Sequence, residues 1–272
     1  MISIVCIYNN ETIFKSFLSK SLELQTVAYE LIALDNSKNI FPSASQALNY
    51  AARQLKGASK YILFTHQDID LSSPAFLEDT ENMLDEIPDL GIAGVAGINA
   101  EEKRVVSNIM HGIPPVDAGR KTDKPTRVMT VDECCAVIPR RVFEQHQFDQ
   151  VVCAGWDLYM VEYCLRMQQA GLGVYVLPSA IYHASRGEQI NFSAYFKTLK
   201  KVLRKYRRSY TKIHTTCGRW HTGVPVLLQR GWLHIRCILF AAVNKLVQGG
   251  PVPEWIGKTI RPRLEEYGQN VH

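Results

Sequence analysis

The sequence predicts an α/β fold with a mostly parallel central sheet, helices on both faces and a basic helical C-terminal appendage. Three observations lead there. β-prone runs alternate with helical stretches through residues 1–100; polar side chains fall where those runs end; and charge divides the chain into two unequal parts. A strand that leads into a helix and then another strand returns the chain parallel to itself, which buries apolar runs on both faces of one sheet.

Ile2-Ser3-Ile4-Val5-Cys6-Ile7-Tyr8 is a continuous β-prone run, the pattern of a strand covered on both sides. Asn9-Asn10-Glu11 breaks it, and Thr12 to Leu24 is expected to be helical. Tyr29 to Leu34 is a second strand that ends at Asp35-Asn36-Ser37. Ser45 to Leu55 is rich in Ala and Leu and predicts a helix with Gly57 as its terminator. Tyr61 to Phe64 is a third strand, ending at Thr65-His66-Gln67-Asp68. Pro74 opens a helix that runs to about Ile87-Pro88, and Leu90 to Ile98 is a fourth strand. Residues 99–127, rich in Gly, Pro and charge, predict a long loop or small hairpin. Val128 to Ile138 is β-prone, Pro139 starts a short helix, and Leu158 to Ala170 is a helix stopped by Gly171. Gly173 to Pro178 is a last strand, and Phe192 to Tyr206 is a basic helix.

The chain has 272 residues, enough for one large domain and an appendage. Residues 1–196 carry 16 Lys/Arg against 23 Asp/Glu, and residues 197–272 carry 15 against 3. The expected division is a domain at 1–195 and a basic, partly amphipathic region at 196–272, which meets something anionic. The seven cysteines are odd in number, lie mostly in apolar runs and lack C-x-x-C spacing, so reduced, buried thiols are expected rather than disulfides or a zinc knuckle. The N-terminus has neither a basic region nor a long apolar stretch, and no uncharged apolar run reaches about 18 residues. A signal peptide and a spanning helix are therefore not expected, and the expected location is cytoplasmic, peripheral at the inner face of the cell membrane.

No G-x-G-x-x-G, no G-x-x-x-x-G-K-[ST] and no G-x-S-x-G is present, which disfavours a dinucleotide fold, a P-loop and a serine-hydrolase elbow. What remains is carboxylates and histidines at strand ends, where ligands bind in open parallel sheets. In Tyr61-Ile62-Leu63-Phe64-Thr65-His66-Gln67-Asp68-Ile69-Asp70 a buried strand runs directly into acids and an imidazole. Alternate residues of an extended chain point the same way, so His66 and Asp68 can share one ligand. A carboxylate suits Mn²⁺ or Mg²⁺, and an imidazole favours Mn²⁺. The competing reading is that Asp68 or Asp70 caps the helix at Pro74. Trp156-Asp157 sets an indole beside a carboxylate at a helix start; the competing reading is a buried Trp and an N-cap. Glu162 is either a second such carboxylate or a solvated helix residue. Asp132 either lines the site or makes a turn. His111 and His146 are read as surface residues.

Together these segments resemble the family-2 inverting glycosyltransferases of GT-A fold, in the branch that has His-Gln-Asp where most members have Asp-x-Asp. The resemblance covers roughly residues 1–190 and rests on the order and spacing of its motifs. Ile4 to Asn10 resembles the first strand and its nucleotide-contacting loop, which puts Tyr8 and Asn9 on the donor. Leu34-Asp35-Asn36-Ser37 resembles the motif that holds uracil or ribose. His66-Gln67-Asp68 stands at the metal motif, with Gln67 on the donor side. Gly155-Trp156-Asp157 followed by Glu162 to Arg166 and Gly171 resembles the acceptor-side helix. Pro178 followed by His183 resembles the late histidine that completes the metal site, and Arg186 is implied as a phosphate contact. Two departures stand out. His66 replaces an aspartate, and the family's Glu-Asp pair is not intact, so the base stays open between Asp157 and Glu162.

The resemblance implies an enzyme that moves a sugar from a nucleotide sugar, UDP-linked by default, to a lipid-linked or surface-polysaccharide acceptor with inversion. The alternative is a non-catalytic sugar-nucleotide or polysaccharide-binding protein of the same fold. A nucleic-acid-binding protein is disfavoured by the acidic first 196 residues. Residues 197–240 interleave Lys and Arg with apolar residues and read as an interfacial segment on an anionic membrane. The competing reading is an appendage packed on the domain or on a second subunit of a homo-oligomer.

Overall fold

The structure, a computed structural model, describes residues 1–101, 104–112, 114–184 and 192–232. The first strand, β1 (Ile2–Tyr8), is buried along most of its length. Asn10 then caps α1 (Glu11–Phe14) by accepting the N–H of Ile13 at 3.1 Å. A π-helical turn (Lys15–Ser19) joins it to α2 (Lys20–Glu23), so the expected single helix is present with one wide turn inside it. There follow β2 (Glu30–Asp35), α3 (Ala44–Ala52), β3 (Tyr61–Thr65), the short β4 (Ile69–Asp70) and α4 (Phe76–Asp85). The Ser43 hydroxyl caps α3, accepting from the Gln46 N–H at 3.3 Å.

The expected strand from Leu90 to Ile98 is broken in two, β5 (Leu90–Gly94) and β6 (Ala96–Asn99). The two halves belong to different sheets. The break depends on small residues. A Cβ at Gly94 would stand 2.8 Å from that of Val131, and one at Gly97 would stand 2.6 Å from the Thr130 carbonyl. The loop expected at 99–127 contains β7 (Arg104–Ser107), β8 (Ile109–His111), β9 (Val116–Asp117) and β10 (Thr126–Arg127). The β-prone run after it yields β11 (Thr130–Val131) and β12 (Cys135–Pro139), then α5 (Arg140–Gln145) and α6 (Tyr159–Gln169). Gly171 takes φ +78°, and the N–H groups of Gly171 and Leu172 return to the carbonyls of Gln168 and Met167, closing α6 as a Schellman cap. The chain finishes with β13 (Gly173–Val176), β14 (Ile181–His183), α7 (Phe192–Tyr206), β15 (Lys212–Thr215) and β16 (Gly218–His221).

The main sheet has the order β10-β13-β5-β12-β3-β1-β2. β1 is parallel to β2 and β3, and β13 is parallel to β5, while β12 and β10 run antiparallel to their neighbours. Alternation along β3 divides the core. Ile62 and Phe64 join the cluster that packs α3, α6 and α7, while Tyr61 and Leu63 join the one that packs α1, α2 and α4. Helices therefore cover both faces, as the α/β pattern requires. A second sheet, β4-β14-β8-β9, stands at the carboxyl end of β3 and brings His183 beside the third strand.

The basic helix α7 is two-faced. Tyr195, Thr198, Leu199, Val202, Leu203 and Tyr206 are buried, while Lys197, Lys200 and Arg204, with Arg207 and Arg208 just past the helix, are exposed. The boundary expected at 195/196 thus falls inside a helix whose apolar face belongs to the domain core. Residues 233–272 lie outside the described residues, so the tail beyond Trp232, Cys237 included, is not part of this description. No helix among the described residues is long and apolar enough to cross a membrane.

Candidate metal and sugar-nucleotide site

Where β3 ends, His66 and Asp68 meet His183 from β14. The pairing of β14 with β4 sets His183 opposite Ile69, and the Ala184 N–H donates to the Asp68 carbonyl at 3.0 Å. His183 Nε2 lies 3.4 Å from Asp68 Oδ1, and the two imidazole rings are 5.9 Å apart. One ligand atom from each of the three residues lies within 4.8 Å of the others, and all three are half-buried.

The electrostatics match this geometry. Burial raises the Asp68 carboxyl, but the hydrogen bond and charge of His183 outweigh it and hold the group down at about 2. Burial lowers His183, and the bond to Asp68 reverses that, leaving it above its ordinary value. His66 is pushed down, first by burial and then by His183. Two imidazoles and one ionised carboxylate form a donor set that fits a divalent metal ion.

Gln67, between the two metal-facing residues, is turned to another use. Its Oε1 accepts the N–H groups of Asn9 and Asn10, both at 3.0 Å, and its Nε2 donates to Asn9 Oδ1 at 2.7 Å. The loop after β1 is thereby clasped to the loop after β3. Tyr8 stacks on Phe14 with centroids 4.9 Å apart. Asp35 is exposed at the end of β2, its Oδ1 accepting the Ser37 N–H at 2.7 Å, and that bond lowers its pKa. Asn36 is buried and spends both ends of its amide on Phe41, at 2.8 and 3.1 Å, so it shapes the loop instead of facing a ligand. Arg186 lies outside the described residues. Asp70 caps no helix; it accepts the N–H of Ser72 at 2.7 Å in a local turn, and the N-cap of α4 is Ala75.

Trp156 is 45% exposed, open to a planar partner. Burial raises the Asp157 carboxyl above its ordinary value. Glu162 does not join this group. It is completely buried, and its carboxylate is occupied by Lys205 at 2.6 Å, the Tyr206 hydroxyl at 2.8 Å and Arg166 at 3.3 Å. Asp132 does approach. Its charge acts on both His66 and His183, and its Oδ1 accepts the Cys134 N–H at 3.1 Å. Beside it Glu133 is pushed well above its ordinary value, first by burial and then by the charges of Asp132 and Asp157. Glu133 went unread in the sequence, where nothing marks an acid before two cysteines as part of a site.

A mixed sheet in which five of seven strands run the same way, with helices on both faces and an acid and two imidazoles at its carboxyl end, has the architecture of the GT-A class. Residues 3–206 match the family described as "Glycosyltransferase like family", and the chain belongs to that family. No curated protein matches the sequence. Among solved structures, the chain is similar to the mannosyltransferase PcManGT from Pyrobaculum calidifontis, in complex with GDP-Man and Mn²⁺. That likeness has 14% identity and a TM-score of 0.56, covering 99% of this chain and 81% of that one. It is also similar to GalNAc-T7 with UDP, GalNAc and Mn²⁺, at 11% identity and TM-score 0.51, covering 76% of this chain and 47% of that one. At these identities the likeness speaks for the fold. The chain spans about half the length of the second protein.

Proposed function

We propose that this protein transfers a sugar from a nucleotide-sugar donor, UDP-linked by default, to a lipid-linked or surface-polysaccharide acceptor with inversion at the anomeric carbon. The observation that supports it most is the His66–Asp68–His183 cluster at the carboxyl end of the sheet. A divalent ion bound there would neutralise the donor's diphosphate and ease its departure. Tyr8, Asn9 and Asp35 lie along the strand ends where base and ribose would rest. Trp156 offers a face for a sugar. Asp157 is the base in this reading: inversion needs one carboxylate to take the acceptor hydroxyl's proton, and partial burial gives Asp157 a raised proton affinity. The structural neighbours named above hold UDP or GDP-Man together with Mn²⁺, which agrees with such a donor.

The exposed basic face of α7, with the exposed Leu227, Leu228 and Trp232 beyond it, supports a second part of the reading: this surface rests on an anionic membrane that carries the acceptor. The decisive experiment is a thermal-shift panel of UDP- and GDP-sugars with and without Mn²⁺ or Mg²⁺, followed by assay of release of the nucleoside diphosphate. Stabilisation by a nucleotide sugar with slow hydrolysis or transfer is expected. Binding with no turnover under any acceptor would return the protein to a sugar-nucleotide-binding role.

A further inference from the structure

The hairpin β15–β16 follows the stretch that matches the family, yet it comes back to the site. It is firmly held. Ile213 and Trp220 are buried, the Thr130 hydroxyl donates to the His214 carbonyl at 2.7 Å, and Trp220 packs edge-on against Phe196 with centroids 5.6 Å apart. Its turn, at Thr216 and Cys217, is therefore fixed relative to the main sheet. From that turn the Thr216 hydroxyl donates to Asp132 Oδ2 at 2.9 Å, while Oδ1 already accepts the Cys134 N–H at 3.1 Å. The carboxylate is pinned through both oxygens, and each keeps lone-pair capacity for a further donor. Asp132 and Thr216 are both half-buried, within reach of a ligand.

The place of Asp132 matters. It lies two residues before Cys134, whose carbonyl accepts the His66 N–H at 2.8 Å, and next to Glu133, whose carbonyl accepts the hydroxyl of Tyr159, two residues past Asp157, at 3.4 Å. Its charge also acts on His66 and His183. Asp132 thus stands between the metal-facing cluster and the carboxylate read above as the base. In a direct displacement the diphosphate leaves from one side and the hydroxyl attacks from the other. What lies between them is the sugar being transferred.

We propose that Asp132, pinned by Thr216, accepts hydrogen bonds from the hydroxyls of the donor's sugar, and that Thr216 is the positioning residue that makes this sugar subsite. The inference rests on the nucleotide-sugar reading and adds to it the residues that recognise the sugar. The hairpin turn outside the family-matching stretch then helps to set which sugar is accepted.

Calorimetric titration of the full chain in the presence of Mn²⁺ tests this, using UDP, UDP-glucose, UDP-N-acetylglucosamine, GDP and GDP-mannose. Wild type is compared with Thr216→Val, Thr216→Ser and Asp132→Asn. The quantity read is the affinity for a nucleotide sugar relative to its own bare diphosphate, with melting temperature as a check on the fold. For the nucleotide the wild type binds, Thr216→Val keeps bare-diphosphate affinity within about twofold, and both Thr216→Val and Asp132→Asn lower the affinity for the sugar conjugate relative to the bare diphosphate about tenfold, the worth of one hydrogen bond to a charged group. Thr216→Ser keeps the wild-type ratio. A Thr216→Val protein with the wild-type ratio overturns the role of Thr216, as does a Thr216→Ser protein that fails equally. An unchanged ratio in Asp132→Asn overturns the subsite. A wild type that binds neither UDP nor GDP removes the donor reading itself, a result distinct from all of these.

Discussion

Asp68 and His183 hold each other in complementary states: the carboxylate is kept ionised and the imidazole gains proton affinity from it. Asp68→Asn takes away the only carboxylate of the metal-facing trio. It is expected to weaken Mn²⁺ binding by at least the ~10–100-fold that loss of an outer-shell partner costs. Titration with Mn²⁺ followed by electron paramagnetic resonance measures this, and a variant with wild-type Mn²⁺ affinity would remove Asp68 from the site. Asp157→Asn is expected to cut transfer by about 10²–10⁴-fold while leaving donor affinity unchanged, because a base touches the acceptor. Comparable turnover in Asp157→Asn and wild type would discard it as the base. At this scale the sequence was legible where residues follow a strand end, as His66 and Asp68 follow β3, and the structure sets both beside His183. It was not legible for Thr216, whose partner Asp132 is 84 residues away and whose neighbours form no motif. Glu162 was ambiguous for a related reason: helical position alone does not tell whether a carboxylate faces water or a lysine from a later helix.

Among the elements, α7 shows most clearly what packing adds to periodicity. Its sequence has an apolar and a basic face, but only the fold reveals that the apolar face closes over α6. Lys205 fastens that contact, reaching Asp149 at 2.8 Å and the buried Glu162 at 2.6 Å. Lys205→Met leaves Glu162 with Arg166 and Tyr206 as partners and is expected to destabilise the fold by about 1–3 kcal/mol, reduced from the cost of a fully buried pair by the partial exposure of Lys205. The pH dependence follows from the shifts. Burial works against both ions, but their hydrogen bonds win, so Lys205 is raised above 10.5 and Asp149 lowered below 3.8. The Lys205 contribution is complete below its ordinary value and lost as pH rises through the raised one. The Asp149 contribution is present above its ordinary value and lost as pH falls through the lowered one. Urea unfolding should therefore show a constant wild-type advantage over Lys205→Met through the neutral range, shrinking in strong acid. An advantage that stays the same at pH 2 and pH 7 would show that Lys205 acts through its hydrocarbon stem alone. Strands were legible where they are long and doubly covered, as β1 and β3 are. The two- and three-residue strands β4, β8, β9, β10, β11 and β14 were not, since so short a run carries no period, and the switch of sheets between β5 and β6 is decided by contacts of Gly94 and Gly97 that lie far along the chain.

For the molecule as a whole, the charge division has a structural counterpart: the outer face of α7 is basic while its inner face belongs to the core. Cutting the chain at Lys197 would therefore strip the core, and surface substitution is the cleaner test. Replacing Lys197, Lys200 and Arg204 with Gln is expected to weaken partition onto phosphatidylglycerol vesicles by about 100-fold, at ~1 kcal/mol for each cation, with little change in melting temperature. Flotation at low salt, with phosphatidylcholine vesicles as control, measures it; equal binding by both proteins would assign the basic face to something other than lipid. The clasp made by Gln67 has a consequence on the same scale. One amide holds the loop that follows β1 and sits in the backbone between two metal-facing side chains, so neither loop can settle without drawing the other with it. If the first loop holds the nucleotide and the trio the cation, as proposed, this clasp links the two thermodynamically: by whatever factor the ion tightens the nucleotide, the nucleotide tightens the ion.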